Sequence, residues 1–390
     1  MNQLNRRDFI SLGGLSIPAF AFGKNNSFAG NKNPKNEKPR INFTYDATFF
    51  MPTEYAEVLS QIINETPMPQ DEYGVGGYAT AVEEQIKTIS GKEAAIFLPT
   101  GTMANNVALH IISKELPVIF THFKSHLYTH EADAATALFK KKMISLNKGA
   151  AYFSPEELFA AIEEHKKESL FGYDIGAVSV EIAPRFVFQR IQPIEQLRSI
   201  SNYARKNNIG LHLDGARIHM ASGYSGVSVK EYCSLFDTVY MDLYKYFRAG
   251  AGAVLCGSKE VIEKMPRYIK MCGGSMWTNW TNTAVANHFI PGFEERFQKA
   301  KANGYKIIDA INKIDGYKIT AFEDGSNVYL LHIKSGDAAR IAKNLVEQTN
   351  IYIRIDEYDE QLGAMPFKIN ETQLQVTPEE IAQAFEEALK

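Results

Sequence analysis

The stretch spanning residues 211–255, LHLDGARIHMASGYSGVSVKEYCSLFDTVYMDLYKYFRAGAGAVL, constrains the fold more than any other part of the chain. One short apolar run, residues 209–213, ends on Asp214, and a second, residues 238–243, leads to Lys245. A turn carrying Gly250 and Gly252 then opens a third apolar run, residues 253–256. Short apolar runs bounded by turn residues read as buried strands. In an open α/β sheet, ligands sit in the crevice outside the carboxyl ends of the strands. Asp214 and Lys245 are therefore expected to face one crevice.

A lysine and an acid converging on a half-buried site suit pyridoxal phosphate. The aldehyde of that cofactor takes an amine, and its ring nitrogen needs an anion to stay protonated and act as an electron sink. Taken alone, the pair is equally a strand-end aspartate capping a helix and a lysine reaching solvent. The rest of the chain decides between them.

Strand and helix patterns alternate from Ala94 to about Cys256, which predicts a mostly parallel sheet with helices on both faces, an α/β fold. Ahead of it, the turn Tyr73-Gly74-Val75-Gly76-Gly77-Tyr78 precedes a helix over residues 79–90 that Gly91 closes. Residues 94–98 read as a strand, and Pro99-Thr100-Gly101-Thr102 leads into a helix reaching Ile112. Free N–H groups at that helix start, with two hydroxyls, form a cradle for a phosphate, and Thr100, Gly101 and Thr102 are its candidates. The same turn also serves ordinary helix capping. Residues 118–121 read as a strand, followed by Ser125-His126-Leu127-Tyr128 at the head of a helical segment containing Glu131. An imidazole there can stack on a flat heteroaromatic ring and move protons near neutral pH, with His122 and His130 competing for the role. Residues 177–181 form a further strand, ending on Glu181. A large domain is expected over residues 41–290 and a smaller α+β domain over residues 291–390, with strands near 328–333, 351–355 and 368–370.

A formal charge of −3 over 390 residues lacks the basic footprint of a nucleic-acid binder. At the N-terminus, Asn5-Arg6-Arg7-Asp8-Phe9-Ile10 is a twin-arginine pattern, followed by an apolar run over residues 10–22 and small residues suited to cleavage. The run is too short for a stable membrane anchor. Residues 1–30 are thus expected to be a signal for export, residues 24–40 a linker, and the location periplasmic or exported. Cys233, Cys256 and Cys272 are odd in number and lack CxxC spacing, so no metal site is expected and buried thiols are. A bridge from Cys272 to either of the others stays open.

Four segments in this order, GKEAAIFLPTGTMANNVAL, SHLYTHEA, LHLDGARI and LYKYFRAGAGAVLCGSKE, resemble the pyridoxal-phosphate-dependent threonine aldolases of the β-eliminating lyase group, over roughly residues 43–287. The resemblance implies the aspartate-aminotransferase-like fold of type I. It implies Lys245 as the Schiff-base lysine, Asp214 as partner of the ring nitrogen, His126 stacked on the ring, and Gly101 and Thr102 on the phosphate. Arg217 would reach the substrate carboxylate or the cofactor phenolate. The implied reaction cleaves the Cα–Cβ bond of a β-hydroxy-α-amino acid to glycine and an aldehyde. β-Elimination, racemisation or transamination on the same fold stays open, as does cofactor binding without catalysis. A homodimer or homotetramer is also implied, with the turn at residues 74–77 a candidate to reach the neighbour's cofactor.

The departures concern phosphate and substrate. The family's Gly-Gly-Gly-Met-Arg reads Gly273-Gly274-Ser275-Met276-Trp277 here, so a basic residue near the phosphate is missing. Arg248, just beyond Lys245, is expected to replace it, and Trp277 to line the substrate pocket. The family's carboxylate-binding arginine aligns near Lys368, and its Arg-Ser-Asp pattern reads Thr44-Tyr45-Asp46, which makes Lys368 and Tyr45 the expected substrate contacts.

Overall fold

The computed structural model describes residues 39–390 apart from 148, 171–174 and 335–336. The expected export signal lies outside the described residues. A two-residue strand, β1 (Ile41–Asn42), opens the described chain. Seven strands then build the main sheet: β2 (Ala94–Leu98), β3 (Val118–His122), β4 (Lys142–Leu146), β5 (Ile175–Glu181), β6 (Gly210–Asp214), β7 (Thr238–Asp242) and β8 (Ala253–Gly257). Their order is β2-β8-β7-β6-β5-β3-β4. Among these strands β8 alone runs against the rest, because a turn rather than a crossover helix joins it to β7. β3, β5, β7 and β8 are buried throughout, as strands covered by helices on both faces must be. One edge of the sheet therefore collects the carboxyl ends of β2, β3, β5, β6 and β7, and with them Thr100, His126, Glu181, Asp214 and Lys245.

Two hydrophobic cores are the largest of five among the described residues. The larger surrounds the main sheet and includes Phe120, Leu197, Leu213, Met241 and Phe247. The second forms around an antiparallel sheet ordered β12-β10-β9, from β9 (Tyr317–Thr320), β10 (Val328–Ile333) and, after the short β11 (Ile351–Tyr352), β12 (Ala364–Lys368). β1 pairs in parallel with β11, and Phe43 stacks on Phe367 with ring centroids 4.1 Å apart. The segment from residue 41, expected to head the large domain, thus packs in the second core, because Ile41 and Phe43 are apolar and find partners there. That placement carries the next residues, including Asp46, back across to the main sheet.

The sequence reading misses β4, β9 and the helix Lys259–Met271, and it sets β12 four residues too late. β4, β9 and β12 are all edge strands, and β12 contains Pro366, which an edge tolerates. All three cysteines are free; Cys233 and Cys256 are buried and Cys272 half-buried. Burial pushes the Cys256 thiol up to about 12. Among the described residues, no helix is long and apolar enough to cross a membrane.

Candidate active site

β7 ends on Asp242, and the chain turns back through Gly252 into β8. Gly252 has φ 118, and a Cβ there would lie 2.8 Å from the Phe97 ring, so this turn requires glycine. Lys245 sits inside it. Its backbone N–H donates to the Asp242 carboxylate at 2.8 Å, its Nζ lies 3.3 Å from the same carboxylate, and Nζ donates to the Tyr244 hydroxyl at 3.0 Å. Burial disfavours the ammonium, but Asp242 and Tyr244 outweigh it and hold Lys245 above its ordinary value.

On the neighbouring strand Asp214 is buried. Its Oδ2 accepts from Asn105 Nδ2 at 2.9 Å and its Oδ1 from the Ala216 N–H at 3.1 Å. Asn105 belongs to the helix Gly101–Ile112, which packs on β6, β7 and β8. Its Nδ2 also donates to Glu131 at 2.8 Å, and its Oδ1 meets His212 Nε2 at 3.0 Å. Burial drives His212 down to about 4, so that ring is neutral, donating to Asn105 and accepting from Thr238 at 2.9 Å. Glu131 also accepts from Asn106 at 2.6 Å and pairs with His126 Nδ1 at 2.9 Å. Burial lowers the tendency of His126 to protonate, yet Glu131, Asp214 and Glu181 together raise it above its ordinary value. Glu181 accepts the His126 backbone N–H at 2.6 Å; burial, then repulsion from Asp214, pushes it up to about 7.

Arg217 forms a third cluster. Its Nε donates to Asp46 Oδ2 at 2.9 Å, while Lys368 Nζ and Gln189 Nε2 donate to Asp46 Oδ1 at 3.1 Å and 2.7 Å. Burial works against an ionised Asp46, but Lys368 and Arg217 hold its carboxyl well below the usual range. A cavity of about 20 Å³, bordered by Asp46, Lys245, Tyr246 and Glu371, lies between this cluster and the lysine. The Tyr246 hydroxyl is buried there without a hydrogen-bond partner.

The arrangement fits pyridoxal phosphate on its charges. Glu131, Asp214 and Glu181 converge in a buried place, with the donor atoms of His126, Glu131 and Asp214 within 4.8 Å of one another. Such a surplus of buried carboxylate is offset by a cation such as a protonated ring nitrogen. At the phosphate end, Thr100 caps the helix by accepting from the Met103 N–H at 3.2 Å, and a Cβ on Gly101 would sit 2.2 Å from the Tyr240 hydroxyl.

Lys245, Asp214, His126, Arg217, Lys368 and the residues 100–102 are thus gathered along one sheet edge, with Tyr45 beside Asp46 and packed edge-on against Phe49. Arg248 and Trp277 are placed otherwise than expected. Arg248 has φ 57 and pairs with Glu371, its guanidinium 4.7 Å from the Phe289 ring centroid, because a nearly buried carboxylate needs that cation. Trp277 is 52% exposed and packs edge-on against Tyr73 of the glycine-rich turn. Asn105, Asn106 and Asp242 were missed. Two adjacent asparagines in an otherwise apolar helix, and an acid closing an apolar strand, were the available signals.

The profile of the beta-eliminating lyase family matches residues 53–334, more than half the chain. A low-specificity L-threonine aldolase from Candida albicans is 31% identical over 251 residues, covering 64% of this chain and 66% of that protein. An alanine racemase from Cochliobolus carbonum is 33% identical over 212 residues, 53% of each. The chain spans between half and two thirds of the length of these relatives. Among solved structures, a Leishmania major threonine aldolase superposes with a TM-score of 0.69 at 17% identity, over 90% of this chain and 98% of that one. A serine palmitoyltransferase from Sphingomonas wittichii does so with a TM-score of 0.64 at 17% identity, over 90% and 86%. These likenesses identify the fold.

Proposed function

Because the chain belongs to the beta-eliminating lyase family, we propose that it is a pyridoxal-phosphate-dependent lyase cleaving the Cα–Cβ bond of β-hydroxy-α-amino acids to glycine and an aldehyde. The observation that carries this reading is the pair of acids closing adjacent strands, Asp214 on β6 and Asp242 on β7, the second tied to Lys245. The similarity to a threonine aldolase supports the choice of reaction.

When bound, the cofactor supplies an electron sink for bond breaking at Cα. Lys245 holds its aldehyde, and Asp214, fixed by Asn105, keeps its ring nitrogen protonated. The N–H groups at residues 100–102 receive its phosphate. Arg217 and Lys368 take the substrate carboxylate, which competes with Asp46 for them. Glu131 accepts the Nδ1 proton of His126, which fixes the tautomer and leaves Nε2 to accept the proton of the β-hydroxyl.

Incubating the protein and pyridoxal phosphate with threonine, allo-threonine or phenylserine tests this: glycine and the matching aldehyde should form in equal amounts. No glycine from any of them overturns the reading. The racemase relative favours a second one, in which the same assay shows inverted alanine and no aldehyde. We also infer export by the twin-arginine route, from Arg6 and Arg7, and a homodimer or homotetramer. A reporter exported only when folded, fused to residues 1–40, tests the first, and light scattering the second.

A further inference from the structure

Asp242 is a buried acid at the end of an otherwise apolar strand, TVYMD, and a carboxylate is costly there unless a cation pairs with it. The cation is Lys245, whose backbone N–H and Nζ both address the same oxygen, Oδ2, at 2.8 Å and 3.3 Å. One carboxylate oxygen thus fixes both where the lysine begins and where it ends.

We infer that Asp242 is the counter-ion and proton acceptor of Lys245, a positioning residue that keeps the amino group charged and aimed until a carbonyl arrives and then relieves it of a proton. An ammonium has no lone pair, so one proton must leave Nζ before the nitrogen can attack a carbonyl carbon. Asp242 Oδ2 takes it. As the C=N bond forms and the C–O bond breaks, the oxygen leaves as water, carrying the proton lent to Asp242 and one more from Nζ. Asp242 ends as it began, an anion facing the cationic nitrogen.

The surroundings favour this exchange. Burial raises the Asp242 carboxyl above its ordinary value, which makes it a better base, while Lys245 and Arg217 draw it back. Lys245 is faced by Asp242 and Tyr244, which stabilise its charge, and by Arg217, which opposes it. Tyr240 on the same strand and Tyr246 in the turn also face Asp242, and Asp46 stands behind Tyr246; burial keeps both phenols protonated. The carboxylate is therefore the proton acceptor that lies beside Nζ.

The inference rests on the proposed function only for which carbonyl arrives; the charge of Lys245 can be read without any cofactor. Competitive acetylation of the full-length protein across pH, with the Lys245 peptide quantified by mass spectrometry, gives the lysine's own titration. In Asp242→Asn, which can still accept the backbone N–H, the midpoint for Lys245 should fall by about 1–3 units. Asp242→Glu should restore it in part, and Tyr244→Phe should shift it less than Asp242→Asn does. With pyridoxal phosphate bound, the visible band should lose its protonated form at lower pH in Asp242→Asn than in wild type. An unchanged Lys245 midpoint in a folded Asp242→Asn protein overturns the inference, whatever the activity. If Asp242→Asn does not fold, Asp242→Ser is read in its place, with the same two outcomes. A protein that cleaves no amino acid but shows the shift leaves this inference standing and removes only the proposed reaction.

Discussion

At the end of β6, Asp214 is held by neutral donors, the Asn105 amide and the Ala216 N–H, within one core. Three residues later Arg217 is held by charge: Asp46, from the N-terminal segment, accepts from it and also from Lys368 of β12, so one carboxylate bridges two cations from distant parts of the chain. Neutral amides fix a carboxylate without supplying a competing charge, so the ring-nitrogen side is preorganised for the cofactor. The Arg217 side is already saturated by an internal carboxylate, so a substrate must exchange with Asp46 rather than find free cations. The first arrangement favours constancy, the second selectivity for a ligand that brings its own carboxylate.

Asp46→Ala should give the largest break in this contrast. It leaves Lys368 buried without its carboxylate partner and Arg217 with Glu181 alone, 3.7 Å away, and removing one partner of a buried pair typically costs about 3–5 kcal/mol. Denaturant unfolding should show that loss; the survivors should bind free carboxylates more tightly. Asn105→Ala should cost less, about 1–3 kcal/mol for the buried polar groups it leaves unpaired, and should slow turnover through a loosened Asp214.

A pH profile sharpens the comparison further. His126 is raised above its ordinary value, and as a proton acceptor it works only when neutral. Activity should therefore fall as pH falls through that raised value, with the acid limb above the ordinary histidine range. Glu131→Gln should move the limb to lower pH; an unmoved limb means His126 is not the group titrating. Arg248→Ala should lower stability by about 1–3 kcal/mol by leaving Glu371 with Arg296 as its remaining cation, yet change pyridoxal phosphate affinity less than about twofold. Trp277→Ala should stay within about 0.5 kcal/mol of wild type, as exposed positions do.

The contrast also explains what could be read from the sequence. Asp214 and Lys245 close or follow apolar runs, so their place at a sheet edge follows from periodicity, whereas Arg217 is singled out only through the resemblance of its Asp-Gly-Ala-Arg motif. Asn105 acts through partners 26, 107 and 109 residues away, Glu131, His212 and Asp214, and no local pattern announces such a bond. Arg248 pairs with Glu371, 123 residues on, and no local pattern announces that partner either. β4 and β9, at sheet edges, bury fewer side chains than the central strands and so show weaker apolar runs.

The central claim is that Lys245, clamped by Asp242 at the edge shared with Asp214, is the amine that takes the cofactor's aldehyde. Borohydride reduction of the protein with pyridoxal phosphate, followed by peptide mapping, tests it most directly. The account predicts a single reduced adduct on Lys245, absent in Lys245→Ala together with the visible absorbance. An adduct on another lysine in the wild-type protein, or an adduct that persists in Lys245→Ala, would contradict it.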